Sequence, residues 1–379
     1  ASPFDGPYRI SAAVTPTAPM PTSRGAHPRA SNRLDNRFAH GQRGIVLFMN
    51  YSHPLELGTM GARPEDFSGQ PTLVAIGNFD GVHLGHQAVL VDTAAEAKSN
   101  GWIPVALTFE PHPTVAVGRP PPACLTPVQR KIELIQRIDP SLRVVVQTFD
   151  EPFATQSPEA FVRTMLVDRL CARGVRVGEN FRFGARRSGD LDSLADFGKQ
   201  FGFEARAVPL LGDHQGRFSS TRARHAVAIG DLDEVWAILS RPHALSGKVV
   251  QGQRRARSLG FPTANLRWVQ EALPPHGVYA VVVDRLDEHG AAQRLGAGVC
   301  NIGIRPTVDA GFAVEVHLFD FDGDLYGLRL RAHLIHSLRS EKKFNNLDDL
   351  KLQIELDVQE ARKRLASFLP SVWEGQAWF

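Results

Sequence analysis

Between residues 73 and 209, short apolar runs alternate with longer stretches of helical character. Each run has the length of a buried parallel strand, and each intervening stretch is long enough to form a crossover helix. This alternation predicts an α/β domain built on a parallel sheet. The predicted strands span 73–78, 105–109, 144–149, 175–178 and 205–209, and the predicted helices span 84–98, 127–138, 158–171 and 191–201.

The pattern changes near Arg241-Pro242. Short strand-like runs now follow one another, separated by Gly, Asp and Pro and without spacers of helical length. This spacing predicts a small antiparallel β-barrel. The predicted strands span 244–250, 278–283, 297–301, 314–319 and 328–335, and a helix at 347–368 is expected to pack across the barrel.

The first 65 residues are rich in Pro, Ser, Arg and Gly, and they carry only two acidic residues before Glu56. Such a segment buries too little apolar surface to offset the entropy lost on ordering. We therefore expect a disordered extension at 1–68, a first domain at 69–240, a second at 241–367 and a tail at 368–379. The alternatives for this segment are an organelle transit peptide or a misassigned start, with the protein beginning at Met49.

Composition narrows the class of protein. With 379 residues, 43% hydrophobic and 22% charged, the chain is expected to form two globular domains. The net charge of +3 does not favour a nucleic-acid partner. The three cysteines, Cys124, Cys171 and Cys300, are too far apart for a disulfide framework or a zinc site, which favours a reducing, cytoplasmic location. No apolar run approaches the roughly 18 residues that a membrane span needs.

Residues 77–86 (GNFDGVHLGH) connect the first predicted strand to the first predicted helix. Ligands bind at the carboxyl ends of strands in open α/β sheets. His83 and His86 are three residues apart and share a face of the first helical turn, where unpaired N–H groups attract phosphate. Gly81 and Gly85 allow a ligand to approach the backbone closely. We interpret this turn as a phosphate site; two ordinary polar residues at a helix start are the alternative.

Two further loops follow predicted strands and belong on the same edge of the sheet. Residues 109–113 (FEPHP) form either a proline-stiffened turn or part of a binding site. Residues 178–184 (GENFRFG) offer the Asn180 amide for a heterocycle edge and Phe181 or Phe183 for a ring face. Core packing is the alternative for both phenylalanines.

Residues 218–224 (FSSTRAR) open a helix that runs to Ile229. Hydroxyl groups at a helix start usually cap it. Ser220 and Thr221, with Arg224 one turn later, also have the groups to grip a triphosphate, because a guanidinium binds two phosphate oxygens at once.

The second domain carries two candidate pairs. Thr263 and Asn265 are two residues apart in an extended segment after Pro262, so their oxygens point the same way and suit a hard cation such as Mg²⁺. Strict alternation at 313–318 places Glu315 and His317 on one face of a strand and the valines on the other. A carboxylate at a barrel mouth can act as general base on an alcohol. A simple turn and a solvent-facing strand are the alternatives.

These motifs resemble a known enzyme family. Residues 77–86 are similar to the HxGH signature of the nucleotidylyltransferase superfamily, and their GxFDGVHxGH form resembles the bacterial bifunctional riboflavin kinase/FAD synthetase family. FEPHP, the GENFRFG loop and an SSTxxR motif at Ser220, Thr221 and Arg224 follow in the family order. In the second domain LGFPTANL, GVYAVVV, NIGIRPTV and VEVHLFDF resemble the riboflavin kinase module, so the resemblance covers about residues 70–366.

The resemblance implies a Rossmann-like α/β nucleotidylyltransferase domain followed by an antiparallel β-barrel kinase domain with a C-terminal helix. It implies phosphorylation of riboflavin to FMN by ATP, then adenylation of FMN to FAD with release of pyrophosphate. His83, His86 and Glu315 are the expected catalytic residues, with Mg²⁺ on Thr263 and Asn265. The expected nucleotide- and phosphate-binding residues are Gly77, Phe79, Asp80, Gly85, Asn180, Ser220, Thr221 and Arg224. The flavin-binding candidates are Phe109, Pro111, His112, Phe181, Phe183 and Arg305.

The chain departs from the family pattern at Ala256, where a glycine is usual before LGFPTAN. A stiffer loop there is expected to alter kinase turnover or affinity. The surrounding arginines at 254, 255 and 257 are also compatible with a nucleic-acid patch. Phe218 and Ala223 replace the usual isoleucines of the SSTxxR region without changing its chemistry.

Two alternatives to the bifunctional enzyme stay open. In the first alternative, the first domain uses a different acceptor, such as nicotinamide mononucleotide or phosphopantetheine. In the second, one half is a non-catalytic flavin sensor or RNA-binding module. The HxGH, SSTxxR and PTAN motifs and Glu315 favour catalysis on riboflavin, FMN and ATP, without a nucleic-acid or membrane partner. The sequence leaves the oligomeric state open.

Overall fold

The computed structural model describes residue 67 and residues 69–209, 211–252, 259–304 and 312–366. All of them fall in one compact unit. Most of the predicted extension at 1–68, the arginines at 254–257, Arg305 and the tail at 368–379 lie outside these residues, so the expectations placed on them stay predictions.

The first half is a five-stranded parallel sheet flanked by helices, as the alternating pattern predicts. Its strand order is β3-β2-β1-β4-β5. The strands are β1 Thr72–Ile76, β2 Ile103–Glu110, β3 Arg143–Thr148, β4 Ala172–Gly178 and β5 Glu204–Val208. The principal helices are α1 Leu84–Asn100, α3 Val128–Ile138, α6 Leu191–Phe201, α7 Ser220–Ile229 and α8 Leu232–Leu239, with single turns α2 Pro113–Ala116, α4 Glu151–Ala154 and α5 Pro158–Phe161.

The strand order places the candidate ligand crevice. All five residues of β1 are buried, because helices cover both faces of the sheet. From β1 the chain adds β2 and β3 on one side and β4 and β5 on the other. The crevice therefore opens between β1 and β4 at their carboxyl ends, where parallel sheets bind ligands. The loops after these two strands are residues 77–83 and 179–190.

Several elements of this half differ from the prediction. The helix predicted at 158–171 is one α-helical turn, α5, continued by a π-helical segment at Val162–Arg169. A short hairpin of β6 Gly212–Asp213 and β7 Gly216–Arg217 precedes α7. Helix α8 follows α7 and was also not predicted. Elements this short carry too few residues to show a period in the sequence.

The second half is a closed six-stranded antiparallel barrel, in the order β10-β11-β12-β9-β8-β13. Its strands are β8 Ala244–Val250, β9 Ala264–Arg267, β10 Gly277–Leu286, β11 Ala292–Ile304, β12 Phe312–Leu318 and β13 Arg329–Ser340. The barrel and its C-terminal helix, α9 Leu347–Leu365, confirm the predicted fold class. The strand that was not predicted is β9, which contains Asn265.

The two halves meet at an interdomain seam formed by residues 123–133, 271–272 and 329–331. Arg331 Nη2 lies 2.8 Å from Glu133 Oε2, and the N–H of Ala272 donates to the Cys124 carbonyl at 2.6 Å. The ion pair between Glu133 and Arg331 thus links helix α3 to the barrel strand β13. Within the described ranges, no helix is both long and apolar enough to cross a membrane.

Candidate active sites

The turn between β1 and α1 has an irregular backbone. Phe79, Gly81 and Val82 have φ angles of 48°, 84° and 39°, a left-handed region that is unfavourable for phenylalanine and still more for valine. Phe79 and Val82 are buried, so the turn is held by packing rather than by glycine alone. A Cβ on Gly77 would lie 3.1 Å from the Phe79 ring, which explains the missing side chain there.

His83 and His86 form a stacked pair at the start of α1. Their ring centroids are 3.6 Å apart, and the Phe79 ring meets His86 edge-on at 5.2 Å. His83 is the N-cap residue, and its Nδ1 accepts the His86 N–H at 3.4 Å. A neutral His83 ring then carries its proton on Nε2 and can donate it to a ligand. A Cβ on Gly85 would lie 3.1 Å from His83 Cε1, so this glycine makes room for the ring.

Burial keeps both imidazoles neutral at pH 7. It lowers the pKa of His83 to about 4, and the Arg241 charge adds to this shift. Burial also lowers the pKa of His86 well below its usual value, with His83 and Lys131 contributing. Among the described residues, no hydrogen-bond partner reaches the buried Nδ1 of His86. At pH 7 the pair is therefore uncharged, and the Nδ1 of His86 is open to a further hydrogen bond among the described residues.

Asp80 joins this turn to the start of α7. The Ser220 hydroxyl donates to the Asp80 carbonyl at 2.8 Å, and Arg224 Nη2 donates to the Asp80 carboxylate at 2.7 Å. The same carboxylate accepts the N–H groups of Leu125 and Thr126, each at 3.0 Å. Asp80 therefore ties Arg224 to the turn that leads into His83, and the charge of Arg224 contributes to the lowered pKa of that ring.

The hydroxyl groups at the start of α7 have different roles. Ser219 is the N-cap residue and accepts the N–H of Arg222 at 3.1 Å, so the capping function does not fall on Ser220 or Thr221. Thr221 is exposed. Arg224 also donates from Nε to the Ala123 carbonyl at 2.7 Å. The predicted HxGH and SSTxxR residues are thus brought together, although nearly 140 positions separate them.

The FEPHP loop adds His112 to the same edge. His112 caps α2, and its Nε2 lies 3.5 Å from the Asn78 amide. Thr108 donates to the Asn78 carbonyl at 3.0 Å and is approached by the buried Lys131 amine at 3.4 Å. Pro111 is half-buried and follows a cis peptide bond. Sequence reasoning missed Lys131, whose ammonium group brings positive charge to the end of β2.

The flavin-binding candidates differ in accessibility. Phe109 and Phe183 are buried members of an aromatic cluster that also contains Phe149, Phe153 and Phe161. Phe181 is half-buried and stacks on Phe183 at 5.5 Å. Asn180 is exposed at the tip of the turn. Of the three rings proposed to bind flavin, Phe181 is the one with the most accessible surface.

A polar row crosses the outside of the barrel. Glu315 on β12 is directly opposite Asn265 on β9 and Asn301 on β11. Residues directly opposite on adjacent strands have Cβ atoms about 5 Å apart. Val314 and Val316 point into the barrel core, so Glu315 and His317 share the other face, as the alternation predicts. Asn301 carries no local sequence signal and was not predicted.

A cavity of about 540 Å³ opens at one end of this row, and Asn265 is the member of the row that lines it. Its polar lining comes from Thr263, Asn265, Asp322 and Asp324, and its apolar lining includes Leu318 and Phe321. Asn265 is buried, and a Cβ on Gly252 would lie 2.4 Å from its amide nitrogen. The close approach of the Gly252 backbone holds the Asn265 amide in place. Hydroxyl, amide and carboxylate oxygens are the donors that Mg²⁺ prefers.

Comparison with known proteins identifies the family of each half. The sequence matches the FAD synthetase family over residues 67–222 and the riboflavin kinase family over residues 239–365. A crystal structure described as a macrolide-efflux protein from Streptococcus pneumoniae superposes with a TM-score of 0.67 at 27% identity, covering 80% of this chain and 97% of that one. That likeness supports the two-domain fold.

Curated relatives extend over both halves. The bifunctional riboflavin kinase/FMN adenylyltransferase of Haemophilus influenzae is 37% identical over 295 residues, covering 77% of this chain and 94% of the relative. The enzyme of the same name from Pseudomonas fluorescens is 38% identical over 309 residues, covering 80% and 96%. The chain therefore belongs to the bifunctional riboflavin kinase/FMN adenylyltransferase family.

Proposed function

We propose that the two activities of the family reside in separate halves of this chain. Residues 69–240 transfer the adenylyl group of ATP to FMN, and residues 241–367 phosphorylate riboflavin. The two family matches, at 67–222 and 239–365, support this division. The stacked, neutral pair of His83 and His86 beside Arg224 is the observation that carries the adenylation half.

For adenylation, an FMN phosphate oxygen attacks the α-phosphorus of ATP, and pyrophosphate leaves with the electron pair of the broken P–O bond. No protein nucleophile takes part. His83 donates from Nε2, and the start of α1 presents its N–H groups to the phosphates. Arg224, with Ser220 and Thr221, faces the charge that develops on the leaving group. In this proposal Asn180 and Phe181 bind the heterocycles, together with His112 and Pro111 of the neighbouring loop.

For the kinase reaction, Glu315 accepts the proton of the riboflavin 5′-hydroxyl as its oxygen attacks the γ-phosphorus of ATP. ADP is the leaving group. Thr263 and Asn265 would hold Mg²⁺, which when bound neutralises charge on the ATP phosphates. The fixed Asn265 amide and the opposite position of Glu315 support this assignment. Both substrates are small molecules, and the reactions need no nucleic-acid or membrane partner; ATP consumption fits the predicted cytoplasmic location.

Two substitutions test the division of labour. His86→Ala should stop the pathway at FMN, because loss of one stabilising group costs on the order of 10² to 10³ in rate. Glu315→Ala should abolish FMN formation but leave adenylation of supplied FMN intact. Each variant is incubated with ATP, Mg²⁺ and either riboflavin or FMN, and the products are separated by chromatography.

Each variant serves as the control for the other. FAD formation by His86→Ala at the wild-type rate would contradict the role of the imidazole pair. Loss of both activities in both variants, at unchanged thermal stability, would contradict the assignment of one reaction to each half.

A further inference from the structure

Arg241 connects α8 to β8 and is only 3% exposed. Its Nη1 donates to the carbonyls of Val82 at 3.2 Å and Leu239 at 3.0 Å, and its Nη2 donates to the carbonyl of Gly81. Two of these three acceptors lie in the turn that precedes His83. Arg241, at the boundary between the two domains, thus donates hydrogen bonds to the backbone of the candidate adenylation site.

Val82 is the residue on which this contact acts. Its φ of 39° is unfavourable for a β-branched side chain, and such a conformation persists only where its surroundings fix it. The Val82 carbonyl accepts a second bond, from Gln87 Nε2 at 3.0 Å. The same Nε2 lies 3.2 Å from the Leu239 carbonyl and 3.0 Å from the Ser240 hydroxyl, so its second hydrogen is shared between these two acceptors. The Val82 carbonyl is therefore held by two donors, one from Arg241 and one from Gln87.

The peptide after Val82 sets the direction in which His83 leaves the turn. His83 caps α1 through its own ring and stacks on His86. If Val82 relaxed toward an ordinary backbone conformation, both the cap and the stack would be displaced. A small displacement of aligned groups is enough to lower a rate by a large factor.

We propose that Arg241 is a positioning residue for adenylyl transfer, holding Val82 in the left-handed conformation that aims His83 and His86 at the nucleotide. The inference rests on the adenylation function proposed above. Arg241 lies outside the FAD synthetase match at 67–222 and inside the riboflavin kinase match at 239–365. The kinase half therefore supplies a part of the other half's site.

The first test uses Arg241→Gln and Arg241→Lys in the full chain. We expect the kcat for FMN adenylation to fall about 10- to 100-fold in Arg241→Gln, with KM for ATP and FMN changed less than about threefold. The riboflavin kinase rate should be unchanged. Arg241→Lys keeps the charge and one donor direction, and it should lie between Arg241→Gln and the wild type.

The second test asks whether Arg241 acts through Val82. Glycine adopts positive φ freely, so Val82→Gly should make the turn less dependent on Arg241. In the double variant, kcat should recover at least about threefold relative to Arg241→Gln alone. If Arg241→Gln proves too unstable to assay, Arg241→Lys with and without Val82→Gly gives the same comparison.

Arg176→Gln is the matched control, because Arg176 is also wholly buried but pairs with Glu96 and Glu204 instead of the turn. It should lower thermal stability without a selective loss of adenylation kcat. Strictly additive effects of Arg241→Gln and Val82→Gly, or equal loss of both activities, would overturn the inference. Failure of the wild-type chain to form FAD would instead refute the proposed function.

Discussion

At the scale of single residues, the candidate adenylation site combines groups with a local signal and groups without one. The spacing of His83 and His86 after an apolar strand was enough to predict a phosphate site. The positive φ of Val82 was not predictable, because nothing in a valine indicates it. Arg241 was visible only as a residue near a domain boundary, since its two acceptors in the turn, Gly81 and Val82, lie about 160 positions earlier in the chain.

His243 gives a pH prediction at the same scale. It is 2% exposed, its Nε2 lies 2.7 Å from the Ala272 carbonyl, and burial lowers its pKa to about 4. Between that value and the unfolded value near 6.5, the unfolded chain binds a proton that the native state excludes. The contribution to stability is therefore full above pH 6.5 and is lost as the pH falls toward 4.

We expect this histidine to account for about 2 kcal/mol of the free energy of unfolding lost between pH 6.5 and 5. Urea unfolding of His243→Gln at pH 7 and pH 5 should show a correspondingly smaller loss than the wild type. His289→Gln is the control, because His289 is exposed. Equal pH dependence in His243→Gln and wild type would contradict the assignment.

At the scale of elements, the accuracy of the predicted bounds varied: strand β11 covers Ala292–Ile304, whereas only 297–301 was predicted. Helix α6 and strand β8 have the predicted bounds. Strand β9 has only four residues and was seen merely as an extended segment around Asn265. Its pairing with β12 joins residues 50 positions apart, so the position of Glu315 opposite Asn265 required the structure.

Gly85→Ala tests the start of α1. A Cβ would lie 3.1 Å from His83 Cε1 and 3.2 Å from its Nδ1, so the ring must shift. We expect adenylation to fall about tenfold and the kinase rate to stay unchanged. Alanine has a helix propensity about 1 kcal/mol better than that of glycine. This gain should offset the cost of displacing the ring, so the melting temperature should change little. A fully active Gly85→Ala variant would show that the His83 position tolerates this displacement.

At the scale of the whole molecule, the two halves are joined by buried charge. Glu133 on α3 pairs with Arg130 and Arg137 of its own helix and with Arg331 of the barrel. The sequence predicted the boundary near Arg241 but not the interdomain seam, because partners about 200 positions apart leave no periodic trace.

Glu133→Gln should lower the free energy of unfolding by about 3 kcal/mol, since it leaves Arg331 buried without its carboxylate. Chemical denaturation measures this loss. The control is Glu159→Gln, whose exposed pair with Arg163 is worth no more than about 0.5 kcal/mol. Similar losses in the two variants would mean that the seam contributes little to stability.

The alternation along β12 has a consequence for how this protein can vary. Val314 and Val316 line the barrel interior, and Glu315 lies between them on the outside. Adding or removing one residue in this strand would exchange the two sets of side chains, placing a carboxylate in the apolar interior and valines on the outside of the barrel. The pairings of β12 with β11 and β9 show no register shift, so we expect a one-residue insertion or deletion to be tolerated only in the connections on either side of this strand.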